Sequence, residues 1–451
     1  MVKRVEKAPT HGAIAESILL NTASRNDDLI ALVKILDSIE GPYSVLLDAP
    51  WGDGKTFFVK SLEEVLKDIN PNIATNATMS DSLKKVTSSL QSVETPFLPF
   101  YFNAWKYDFA EDPISALFAN MAIEFNKISF RKSYSARSCI ASVIDASLAV
   151  ASTRLKVADM TKTFSGESLI EAYEKHTLLR ERINALAEES ILEVANKLVI
   201  IIDELDRCRP DFSIRLLEQT KSLFQNENII IIISTDSLQL AHATAGSYGP
   251  KFDSQHFIER FFDQRLTLMP SNAYKVATGE TIHDSFHNYD LLKNELIESR
   301  KLTIRDCARI YEKLAAGRAY CDMHDDGSLV AAIIKCLFIP LLIFIEREDT
   351  ELFRAITRGT NFDALYEYGS HYSTFTNFLN KNLHFIKTGQ RQNETAEVTE
   401  EERKDYIRDI CIWLFSSNRN GRECNDAYSR IGMPRGIDPG ILATLRFPLR
   451  S

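Results

Sequence analysis

Short apolar runs alternate with stretches in which apolar residues recur every three or four positions. Tyr43 to Leu47 predicts a strand, and after Lys55 the residues Phe58, Leu62, Val65 and Leu66 share one face of a predicted helix. FLPFYF at 97 to 102 predicts a second strand, Pro113 opens a helix, and the pattern from about 114 to 196 predicts two or three helices. LVIIID at 198 to 203 is an unbroken apolar run that stops at an acidic residue, the pattern of a strand buried on both faces. Pro210 and Asp211 start a helix whose Leu216, Leu217, Thr220, Leu223 and Phe224 share a face. IIIIIS at 229 to 234 and RLTLM at 265 to 269 predict two more strands.

Buried strands alternating with helices predict an α/β fold with a doubly wound parallel sheet. Beyond Pro270 the pattern is helical without such runs. The expected organisation is a first domain over 1–270, with a polar insert at about 70–95 and a helical insert at about 114–196, then a helical lid-like domain over 271–387. A charged linker and a C-terminal helical segment over 388–451 complete it, divided off by TGQRQNETAEVTEEERK at 388–404. Residues 70–95, rich in Asn, Ser and Thr, predict a solvated connection or a weakly ordered insert. Two apolar stretches invite a membrane reading. Ile140 to Ala151 is short and contains Asp145, and Leu329 to Ile345 carries Lys335 and Pro340, so both are expected to be buried helices.

Composition narrows the class. In 451 residues, 53 basic against 62 acidic side chains give a net charge of −9, which does not indicate a nucleic-acid partner. The seven cysteines include no CxxC pair, which suits a reducing compartment, and the N-terminus lacks the apolar core of a secretory signal. A cytoplasmic chain without a membrane span is expected. Cys321, Asp322, His324, Asp325 and Asp326 have metal-capable side chains but no zinc spacing, and read as a solvated acidic turn.

The candidate chemistry starts in DAPWGDGKTFFVK at 48–60. A phosphate-binding loop reads G-x-x-x-x-G-K-[ST], with Gly54, Lys55 and Thr56 at its end and Ala49 where the first glycine belongs. Pro50, Trp51, Gly52, Asp53, Gly54, Lys55, Thr56 and Phe57 form the candidate nucleotide-binding segment. Gly52 and Gly54 permit close backbone approach, Lys55 suits the outer phosphates, and Thr56 is a candidate Mg²⁺ ligand. Asp203 and Glu204 end the apolar strand at 198–203, where open α/β sheets bind ligands. Asp203 is the second candidate metal ligand and Glu204 the candidate base that orients water. Trp51, Trp105 and Tyr107 read as nucleotide contacts or as packing, and Arg207 as an ion-pair partner of Asp206 or a phosphate contact.

With APWGDGKT at 49–56, YFNAWKYD at 101–108, LVIIIDELDRCRPD at 198–211 and FIERFFDQRLTLMP at 257–270, the chain resembles a KAP-family P-loop NTPase, of the AAA-like and STAND-like group. LTIRDCARIYEKL at 302–314 is similar to the family's arginine-bearing lid helix. The resemblance implies ATP as the nucleotide and an extra strand between the two Walker motifs. It also implies a γ-phosphate sensor at Asp236, an arginine at Arg260 that completes a neighbour's site, and Arg305 as a competing candidate acting in cis. Many relatives carry transmembrane helices between the Walker motifs, whereas this interval offers only the segment around Asp145. The implied function is a Mg²⁺-dependent ATPase whose cycle switches conformation or assembly, in a homo-oligomer or with other proteins of the same system, as in bacterial anti-phage defence. The alternatives are a nucleotide-dependent scaffold with little hydrolysis and a small-molecule kinase.

Overall fold

Five isoleucines in a row cannot sit on a half-wet strand, and in the computed structural model Ile229–Ile233 are all buried, as the centre of strand β4 (Ile229–Thr235). The structure describes residues 8–431 except 22–23, 132–140, 142, 147, 149–165, 250, 269–290, 324–328, 389–397 and 417–420. The remaining strands are β1 (Tyr43–Asp48), β2 (Phe97–Asn103), β3 (Lys197–Asp203) and β5 (Gln264–Thr267). All pairings are parallel and the order is β2-β3-β4-β1-β5. The strand that lies between the two Walker motifs in sequence, β2, is therefore an edge strand, and β4 separates β1 from β3 in space.

Alternate residues feed two apolar layers. Ile200, Ile202, Ile231 and Ile233 face one layer, with helices α5 (Pro113–Phe125), α6 (Gly166–Ala185), α7 (Pro210–Leu223), α8 (Ser237–Tyr248) and α9 (Ser254–Glu259) contributing to it. Val199, Ile201, Ile230 and Ile232 face the other, built from α1 (His11–Leu20), α2 (Asn26–Ser38), α3 (Lys55–Ile69) and α4 (Ala77–Thr87). Each such isoleucine stabilises the fold by roughly 1.5–3 kcal/mol. This is the expected α/β fold, a parallel sheet flanked by helices.

Helix α4 corrects the expectation of a weakly ordered insert at 70–95. Met79, Leu83, Val86 and Leu90 recur at helical spacing and are buried, and the Asn76 side chain caps the helix by accepting from the Thr78 N–H.

One compact unit covers Lys7–Asn272 and another holds Ala273–Ser451. In the second, helices α10 (Leu291–Glu298), α11 (Ile304–Met323), α12 (Leu329–Glu348), α13 (Thr350–Thr357), α14 (Ala364–Gly369), α15 (Ser373–Thr388), α16 (Glu400–Phe415) and α17 (Arg422–Arg430) share one apolar core that runs from Leu292 to Ile431. The charged stretch at 388–404 is expected to divide this region, but the helices on either side of it share one core, with Ile407, Ile410 and Leu414 in the same cluster as Phe375 and Leu379. Helix α12 is long and apolar enough to cross a membrane, and 78% of its apolar window is buried inside the unit. The segment at 140–151 and the acidic turn at 321–326 fall largely outside the described residues.

Candidate nucleotide-binding site

Parallel register brings the candidate residues to one edge of the sheet. Asn103 pairs with Asp203 and Asp203 with Ser234, while Asp48, the last residue of β1, pairs with Thr235 and Thr267. The loop after β1 turns through left-handed conformations at Gly52 (φ 95°) and Gly54 (φ 77°) and enters α3 at Lys55. A side chain at either position would be strained, so the glycines are required where the backbone curls round its helix N-terminus.

Lys55 is buried, and its ammonium donates to the carbonyls of Ala49 and, at 3.2 Å, Pro50. Burial lowers its pKa, against the opposing pull of Asp206, Asp236, Asp203 and Asp48. The lysine is thus folded over its own loop. The Phe57 side chain packs against the apolar layer.

Asp203 is fully buried. Burial raises its pKa, opposed by the nearby hydroxyls of Thr56 and Ser234 and by the phenol of Tyr101, which donates to Oδ2 at 3.0 Å. Tyr101 stays protonated because burial and the Asp203 charge push its own pKa far up. The other carboxylate oxygen, Oδ1, has no hydrogen-bond partner among the described residues, and neither has Ser234 Oγ or Thr235 Oγ1. A buried charged oxygen left unpaired is costly unless a cation or water meets it. Thr56 and Asp203 are the hard oxygen donors that Mg²⁺ takes, and the orphaned Oδ1 fits that ion.

Glu204 sits in the left-handed region at φ 60°, a strained position for a non-glycine residue and one common at functional sites. Its Oε2 accepts from Asn103 Nδ2 at 3.0 Å and its Oε1 pairs with Arg207 at 3.1 Å. Arg207 therefore pairs with Glu204 and not with Asp206, one of the two partners considered from the sequence, and its guanidinium lies 5.4 Å from the Trp105 ring centre. Asp206 instead accepts from the Trp51 indole N–H and from the Asp236 amide at 3.1 Å. Trp51 and Trp105 are exposed, 45% and 51%, which corrects the packing reading for both, whereas Tyr107 stacks on Phe102 at 5.2 Å. Asp236 caps α8 by accepting from Gln239 and also accepts from the Trp51 amide at 3.3 Å, so its carboxylate ties β4 to the loop. Arg209 donates to the Asp108 carbonyl at 3.0 Å, joining the motif at 101–108 to that at 198–211.

These P-loop, Walker B and β2-end motifs, on a parallel sheet of this order, decide the family. The KAP family P-loop domain matches residues 28–301. The chain belongs to the KAP family. A comparison with curated proteins finds no match. Membership makes this a nucleotide-binding P-loop domain.

Within the KAP domain the candidate Arg260 lies apart from this edge. Phe261 and Asp263 bond to Ser44 at the start of β1, so Arg260 is at the amino edge of the sheet, a strand length of roughly 17 Å from its own loop. It is exposed, and among the described residues its side chain forms no ion pair; the neighbouring acids pair with other residues, Glu259 with Arg265 and Asp263 with Lys221. Arg305 is on the first turn of α11, in the other unit.

Two site residues escape sequence reasoning. Arg265 on β5 donates to Asp48 at 2.6 Å, and Arg25, ahead of α2, donates to the Asp53 carbonyl at 2.7 Å. Arg25 lies outside the motifs and Arg265 within the stretch at 257–270 without an expected role there, and only the sheet order and chain path bring them to the loop.

Proposed function

We propose that this protein is a Mg²⁺-dependent ATPase whose nucleotide cycle switches its conformation or its assembly. The observation that carries the reading is the orphaned Asp203 Oδ1, fully buried beside Thr56 and the phosphate loop. Thr56 and Asp203 would hold Mg²⁺, which when bound supplies positive charge between phosphate oxygens and the surrounding carboxylates. That charge is needed, since Asp48, Asp203, Asp206 and Asp236 all act on Lys55. Lys55 exchanges the Ala49 and Pro50 carbonyls for the β- and γ-phosphates, and Glu204, freed from Asn103 and Arg207, orients the attacking water. Arg260 serves a second copy in trans. ATP as the nucleotide and a place beside partner proteins in bacterial anti-phage defence rest on analogy with the family, and a cytoplasmic setting on the cysteine spacing.

Thin-layer analysis of labelled ATP incubated with the purified chain and Mg²⁺ tests this. Released phosphate is expected. Bound but unchanged ATP would support a nucleotide-dependent scaffold instead, a reading favoured by the engagement of both Glu204 oxygens. A labelled acceptor would mean a kinase.

A further inference from the structure

Arginine is seldom buried unless something holds its charge. Arg25 is 6% exposed and lies just upstream of the matched family domain, which begins at residue 28. Its place is fixed by a knitted turn. Asn21 ends α1 in the left-handed conformation and accepts from the Asn26 amide at 3.2 Å, while Asn26 Nδ2 donates to the Ile18 carbonyl at 2.8 Å. From there the guanidinium reaches across to donate to Asp53 O at 2.7 Å.

That carbonyl belongs to the peptide linking Asp53 to Gly54. A trans peptide is planar, so its C=O and N–H point in opposite directions. Drawing the Asp53 carbonyl toward Arg25 turns the Gly54 N–H the other way, and Gly54 is the left-handed residue that caps α3. In a phosphate loop, amides at this position meet the anion.

We propose that Arg25 is a positioning residue of the nucleotide site: by holding the Asp53 carbonyl it presents the Gly54 amide to the nucleotide's β-phosphate, so that a segment upstream of the family domain completes the loop. The role rests on the nucleotide-binding reading above. Burial lowers the Arg25 pKa, opposed by the carboxylates of Asp53 and Asp28, and a guanidinium keeps its charge under such a shift. The charge-assisted bond makes the carbonyl's orientation stiffer than a neutral donor would.

The test uses the full chain and four proteins: wild type, Arg25→Ala, Arg25→Lys and Lys55→Ala. Affinities for ATP, ADP and AMP are measured by calorimetry and competition, together with the unfolding midpoint without nucleotide. Arg25→Ala is expected to weaken ATP and ADP, which share the β-phosphate, on the order of tenfold, to leave AMP unchanged, and to be largely rescued in Arg25→Lys. Wild type that binds no ATP would overturn the nucleotide-site reading itself. Wild-type ATP affinity in Arg25→Ala, with Lys55→Ala impaired, would overturn the role of Arg25 alone. So would equal weakening of all three nucleotides, the mark of general loosening. Should Arg25→Ala fail to fold, Arg25→Gln is judged by the same ADP-against-AMP contrast.

Discussion

Asn103 at the end of β2 donates to Glu204 just past β3, at 3.0 Å, across the pair of strands whose register sets Asn103 beside Asp203. With Arg207 on the other oxygen, the carboxylate is occupied on both sides. The cost of freeing it is that of a charge-assisted hydrogen bond, about 1.5 kcal/mol or more. Asn103→Ala is therefore expected to raise ATP turnover on the order of tenfold at saturating nucleotide, with ATP affinity unchanged. A fall in turnover would show that Asn103 assists the reaction instead of restraining Glu204.

Lys55 and Glu204 should fail in different ways. Lys55→Ala removes the buried cation of the loop and is expected to weaken ATP binding roughly 100-fold or more in calorimetry. Glu204→Gln keeps Asp203 and should bind ATP normally while turnover falls on the order of 10² to 10⁴-fold. Near wild-type hydrolysis by Glu204→Gln would move the role of base elsewhere.

Arg260 stands at the amino edge of the sheet, where it cannot serve its own loop. Lys55→Ala and Arg260→Ala proteins, each inactive alone, should regain partial activity when mixed, because one interface then joins an intact loop to an intact arginine. Activity per molecule should also rise with protein concentration. Full activity of Arg260→Ala would end the trans reading.

In the C-terminal unit, Arg300 bonds to Glu348, to Tyr368 at 2.6 Å and to Tyr372 at 2.8 Å. The hydrogen bond from Arg300 holds Glu348 below its ordinary carboxylate pKa of 4.5. A carboxylate depressed in the folded state contributes stability that is present above its unfolded pKa and lost as pH falls through the folded value. Unfolding followed through Trp413, the one tryptophan of this unit, should show acid destabilisation below about pH 4.5, less steep in Glu348→Gln. An identical acid limb in both proteins would refute the link.

The strands were legible because burial on both faces forces a composition: FLPFYF, LVIIID and IIIIIS admit few other readings, and each proved a strand of the parallel sheet. The phosphate loop was legible because its glycines answer a local backbone need, borne out by positive φ at Gly52 and Gly54. Helix α4 is less legible, because its Asn, Ser and Thr content reads as a loop while only Met79, Leu83 and Val86 carry the helical period. Which charges meet was not written locally. Arg207 pairs with Glu204 across the left-handed turn at Glu204 and not with its neighbour Asp206, and Trp51 meets Asp206 because the loops after β1 and β3 both leave the carboxyl edge of the parallel sheet, with β4 between them. Arg25 and Arg265 reach the loop only through the path of α2 and the pairing of β5 with β1. Local backbone and burial demands are encoded in neighbouring residues, so the sequence determined the elements and the loop. Pairing between distant polar groups depends on strand order and register, so only the tertiary structure decided the wiring of the site.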